Sequence, residues 1–150
     1  MAISKKKFSK IINLILSIIL IGNIVGCSKN QITTFQKDTT KITITSLKDV
    51  INKMTYVTTL EIKSDEEKQE LHKIIEETKK KFVGIEDSTY QAEVKDNVFI
   101  ETIVLDTSSK DKIIALAKQG IITVEEDEFD YISLKMISEY LKNNGWKINN

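Results

Sequence analysis

Arginine and proline are both missing from the sequence, and cysteine, histidine and tryptophan occur once each. A single thiol cannot close a disulfide within the chain, so stability has to come from a buried core. One histidine and one cysteine also exclude zinc sites built from several such ligands. No Gly-x-Ser-x-Gly stretch is present, which removes the nucleophile elbow of a Ser-His-Asp hydrolase. Glycine is scarce as well, at five residues. Gly22 and Gly26 lie in the apolar N-terminal stretch, and Gly84, Gly120 and Gly145 each follow a helical pattern and read as helix stops, so none is left for a phosphate cradle. The missing arginine and proline, with abundant isoleucine, lysine and asparagine, fit an AT-rich genome better than a functional constraint.

Long apolar runs are lacking except over residues 11–25. That run follows Lys5, Lys6, Lys7 and Lys10 and ends in Ile24-Val25-Gly26-Cys27, the basic-apolar-small order of a signal peptide over residues 1–26. Asn13, Ser17, Gly22 and Asn23 interrupt it, and it falls short of the roughly 20 apolar residues that a permanent transmembrane helix needs. Its end resembles the lipobox of bacterial lipoproteins, formed here by Ile24, Val25, Gly26 and Cys27. What the resemblance implies is alkylation of the Cys27 thiol by a diacylglycerol with palmitate-type chains, then cleavage between Gly26 and Cys27. Gly26 suits this step because it places almost no side chain beside the modified cysteine.

Cleavage would remove four lysines and no acidic residue, so the chain's 22 basic residues fall to 18 against 22 acidic ones, a net charge of −4. Mild acidity argues against nucleic acid as a partner, because phosphate binding demands a concentrated basic face. It also leaves anchoring to the lipid, whose burial contributes about 0.8 kcal/mol per methylene. The expected location is the outer leaflet of the cytoplasmic membrane of a low-GC Gram-positive bacterium. In a Gram-negative host it would be the outer membrane, since Ser28 is not the aspartate that retains a lipoprotein.

Residues 27–31 read as a short tether and residues 32–150 as one domain. Thr40 to Thr45 alternates polar and apolar, the pattern of a half-buried strand, and Val50 to Ile62 is a second β-branched run, with a turn near Ser46 to Asp49. Ser64 followed by Asp65, Glu66 and Glu67 forms a capping box ahead of a helix whose stripe is Leu71, Ile74, Ile75, Thr78 and Phe82. Lys79, Lys80 and Lys81 favour its carboxyl end and Gly84 its stop. Strands are expected over Thr89 to Lys95 and Val98 to Thr107, joined at Asp96-Asn97, both of which tolerate positive φ. On the second of them Phe99, Glu101, Ile103 and Leu105 share one face. A short helix, Lys110 to Lys118, stops at Gly120, and Ile121 to Asp130 is ambiguous. Ser133 caps a last helix bearing Leu134, Ile137, Tyr140 and Leu141, after which Trp146 and Ile148 form a short extended piece.

This order predicts an α+β domain of two layers, a mainly antiparallel sheet with helices packed on it. Several stretches resemble the YehR-like lipoprotein family: Lys81-Phe82-Val83-Gly84-Ile85-Glu86, Thr89-Tyr90-Gln91-Ala92-Glu93-Val94-Lys95-Asp96-Asn97, Glu101-Thr102 and Asp106. Ile132 to Lys135 and Leu141 to Lys147 are similar to its last helix. The resemblance implies a lipid-anchored α+β domain without an established activity. Family members carry a glycine in the first hairpins where this chain has Leu47-Lys48-Asp49.

Candidate chemistry is sparse. His72 lies off the apolar stripe of its helix and reads as exposed. Glu125, Glu126, Asp127, Glu128 and Asp130 form an acidic cluster that could supply oxygens to calcium, but EF-hand spacing and its central glycine are missing. Tyr56, Tyr90, Phe99, Phe129, Tyr131, Tyr140 and Trp146 could line a groove, although core packing accounts for most aromatics in a small domain. The reading favoured is a non-enzymatic envelope lipoprotein that binds an envelope protein or wall component and needs no cofactor beyond its covalent lipid. A calcium-dependent or hydrolytic enzyme using the acidic loop, and a small-ligand binding protein, are the alternatives.

Overall fold

The computed structural model describes residues 17–18, 29–124 and 130–149. Strands β1 (Ser17–Ile18), β2 (Asn30–Lys37), β3 (Thr40–Leu47) and β4 (Val50–Glu61) lead into helix α1 (Asp65–Lys81). Then come β5 (Thr89–Lys95), β6 (Val98–Asp106), α2 (Lys110–Lys118), β7 (Thr123–Val124), α3 (Leu134–Asn143) and β8 (Lys147–Asn149). Six strands form one antiparallel sheet in the order β5-β6-β4-β3-β2-β8, and β1 with β7 makes a separate two-residue parallel pair. The expected α+β class, with helices on an antiparallel sheet, is therefore what the chain adopts.

Local chemistry accounts for most boundaries. Ser64 Oγ accepts from the Glu67 amide at 3.2 Å and Glu67 Oε2 accepts from the Lys63 amide at 2.7 Å, so a serine and a glutamate between them hold two amides at the start of α1. Asp96 and Asn97 have φ of 48° and 62°, the left-handed pair that a two-residue hairpin needs to follow the twist of its strands. At the β3–β4 turn Lys48 takes φ 57° without being a glycine, asparagine or aspartate. An irregularity beside that turn pairs Thr45 with Lys53 and Ser46 with Ile51, which leaves Asn52 without a partner on β3.

All three helices pack on one side of the sheet. Alternation in β3, β4 and β6 sends Ile42, Ile44, Met54, Tyr56, Ile103 and Leu105 to that side, where they meet Ile113 and Leu116 of α2 and Ile137 and Leu141 of α3. Leu71 and Ile75 of α1 pack with Ile62 and Phe99 as a second cluster. Two parts of the sheet were not expected from periodicity. β2 begins at Asn30, within the stretch read as tether, and Phe35 of that strand is fully buried. β8 turns back from α3 to pair with β2, placing Phe35 opposite both Ile42 and Ile148.

No helix lies on the opposite side of the sheet among the described residues. Its rows run across the strands in register: Thr34, Thr43, Thr55, Val104 and Thr89 in one, and Gln36, Lys41, Val57, Thr102 and Gln91 in the next. Short neutral side chains dominate the first row. The result is a largely polar surface five strands wide.

Candidate functional site

Most residues singled out from the sequence prove structural or lie outside the described part of the chain. Cys27 with Ile24, Val25 and Gly26, and the acidic residues Glu125, Glu126, Asp127 and Glu128, fall outside the described residues, as does Phe129. Asp130 is described; its exposed carboxylate meets Lys110 Nζ at 3.4 Å. His72 is exposed on α1. Among the described residues no three histidine, cysteine, aspartate or glutamate side chains are placed to hold a metal ion. No helix among them is long and apolar enough to cross a membrane.

The described aromatics are dispersed between core and surface. Tyr56, Phe99 and Trp146 are buried in the core. Tyr90 stacks on Phe82 with ring centroids 5.7 Å apart, pinning the end of α1 to β5, and Tyr140 is exposed.

One buried polar group went unmarked by sequence motifs. Glu101 points from β6 to the helix side of the sheet and is 4% exposed, with Thr58 opposite it on β4. Thr58 Oγ1 and Thr40 Oγ1 lie 3.2 Å apart, extending the polar row to β3. Tyr90 sits nearby with its hydroxyl buried and outside hydrogen-bonding geometry, yet near enough to the Glu101 carboxylate and the Thr78 hydroxyl to feel both. Burial pushes the Glu101 carboxyl above the ordinary glutamate value, with Tyr90 pulling the other way, and burial followed by the Glu101 charge pushes Tyr90 up. No lysine forms an ion pair with Glu101 among the described residues. The row divides the two apolar clusters. Its chemistry is that of a buried carboxyl whose protonated form is favoured more than that of an exposed glutamate.

A second cluster ties the ends of elements together. Lys112 Nζ bonds Asp106 Oδ2 at 2.9 Å and Asp87 Oδ2 at 2.8 Å, while Asp106 Oδ1 accepts from the Ser108 amide and hydroxyl. Burial opposes ionisation of Asp106, but the bonds from Lys112 and Ser108 outweigh it and hold the carboxyl below its usual value. The bonds to Asp106 and Asp87 in turn push the Lys112 ammonium up. Each member is already partnered within the fold, so the cluster is a clasp between the α1–β5 loop, the end of β6 and the start of α2.

Among the described residues, the helix-free face of the sheet and its edge at β5 are open to another molecule. Comparison with known proteins agrees on the fold and on nothing more specific. The family model described as "Protein of unknown function (DUF1307)" matches residues 28–147. A solved structure, the NMR structure of the E. coli YehR protein, is 20% identical with a TM-score of 0.59, over 80% of this chain and 91% of that one. No curated protein matches the chain. With a six-stranded sheet, three helices on one side and a family match over residues 28–147, the chain belongs to the DUF1307 family of proteins of unknown function, and its domain is consistent with a YehR-like one.

Proposed function

We propose that the chain is exported, carries a lipid on Cys27 and serves on the outer face of a membrane as a non-enzymatic binding domain for an envelope protein or wall component. The observation that carries this reading is the helix-free sheet face: three helices crowd one side, while rows rich in threonine and valine run across the strands on the other. The edge of β5 supports it, because Thr89–Lys95 pairs with β6 on one side only and leaves backbone groups free for an added strand. The place of action rests on the sequence order of basic stretch, interrupted apolar run and Ile24-Val25-Gly26-Cys27.

The test has two arms on intact cells. Growth with an alkyne analogue of palmitate is expected to label the wild-type chain and leave Cys27→Ala unlabelled and released from the membrane. A photocrosslinking residue at Thr43 or Thr55, on the uncovered face, is expected to capture a discrete envelope component, with one at Glu77 on the exposed side of α1 as the control. An unlabelled wild-type chain defeats the anchor, and adducts at Glu77 without any at Thr43 or Thr55 move binding away from the sheet.

A further inference from the structure

We infer that the corner of the uncovered sheet face around Ile32 and Leu47 lies against the bilayer that holds Cys27, and so fixes how the domain stands on the membrane. The inference rests on the anchor proposed above. Covalent geometry supplies its first support. β2 begins at Asn30, so only Ser28 and Lys29 separate Cys27 from the sheet. Three Cα–Cα steps reach about 11 Å at full extension. The headgroup region of one leaflet is itself about 5–8 Å deep, so this end of the sheet cannot stand clear of the membrane surface.

Side chains at that end match the surroundings the geometry gives them. Ile32 is 72% exposed and Leu47 41% exposed, two of the six large hydrophobic residues exposed among the described residues, and they come together at the end of the sheet nearest the anchor. Both face the helix-free side, Ile32 opposite Thr45 and Leu47 opposite Asn30. Lys53, exposed and opposite Thr45 on the next strand, and exposed Lys29 flank them. Apolar side chains bordered by lysines suit the boundary between acyl chains and phosphates, where the ammonium groups stay hydrated and the apolar groups do not. The contact is local and adds orientation to an attachment that the lipid already secures. Along the same sheet, β4 carries the chain 12 residues, roughly 40 Å, to Glu61 at the far end.

The experiment uses the full chain, lipidated in cells and reconstituted into vesicles of mixed neutral and anionic lipid containing nitroxide-labelled acyl chains. Because the Cys27 thiol is alkylated, a cysteine introduced by Ile32→Cys or Glu61→Cys is the sole free thiol and takes an environment-sensitive fluorophore. Both positions are at the surface, so neither change threatens the core. Lipid-borne nitroxide is expected to quench the probe at position 32 at least about threefold more than the probe at position 61. Equal quenching on vesicle-bound protein overturns the inference and leaves the anchor standing. A chain that stays off the vesicles, with Cys27 itself taking up the fluorophore, overturns the anchor and this inference together.

Discussion

Burying a carboxyl without a cation beside it is harder for the charged form than for the protonated one, because only the charged form loses strong hydration. Glu101 is in that position, and its sign on stability follows. Its folded value lies above the ordinary 4.5, so between the two the folded chain holds a proton that the unfolded chain has released. Stability therefore falls as pH rises through that window. Glu101→Gln keeps the shape and removes the titration, so the variant is expected to be more stable than wild type at pH 7, with the gain vanishing near pH 4. Urea unfolding at the two pH values checks this, and an equal effect at both would mean that charge is not the cause. The alternation of Phe99, Glu101, Ile103 and Leu105 gave the face on which Glu101 sits, but not its isolation there. That isolation depends on Tyr90, Thr78 and Thr58, which arrive from three other elements. Lys48 is a residue of the same kind: its φ of 57° is imposed by the two-residue connection between Leu47 and Val50, and lysine carries no signal for it.

Helix α3 shows how an element can be legible at one end only from close by. Ser133 caps it as expected, its Oγ accepting from the Met136 amide at 3.3 Å. A second cap comes from 84 residues earlier: Asp49 Oδ2 accepts from Ser133 Oγ at 2.7 Å, and its Oδ1 accepts from the Lys135 amide at 2.8 Å. No local pattern can announce a partner so far away. Asp49→Ala removes both bonds and is expected to cost about 1–2 kcal/mol, read as a lower urea midpoint. With Ser133→Ala added, the double variant should lose less than the two single losses combined, because the hydroxyl and carboxylate act as one network. Full additivity would show two independent caps. β2 escaped detection for a different reason. Its large apolar residues, Ile32 and Phe35, are three apart, so they fall on opposite faces and break the alternation by which a strand is read. The turns at Asp96-Asn97 and the helix stops at Gly84, Gly120 and Gly145 were readable because each needs a positive φ that few residues accept, and each has one.

At the scale of the molecule, the class of fold was legible from the order of its elements, and the family from the stretches around Gly84, Asp96-Asn97 and Trp146. Sheet order was not. Nothing in Trp146-Lys147-Ile148 states that it will lie beside β2 at the far side from β5. That placement is open to test by ending the chain at Trp146. Loss of β8 turns β2 into an edge with exposed backbone groups, so the shortened domain is expected to unfold at lower urea by about 1–2 kcal/mol and to self-associate in size-exclusion runs. An unchanged midpoint would make β8 an ornament of the fold. The same pairing also orders events in time. Asn149 Nδ2 donates to Gln36 Oε1 at 2.8 Å across 113 residues of sequence, so the strand that comes first in this sheet keeps a vacant side until β8, the last of the six, has followed it. On the export route proposed above the domain folds after crossing the membrane, and closing this edge means bringing together strands 113 residues apart, a long-range pairing of the kind that slows folding. The sheet is thus completed last at the strand that comes first in it.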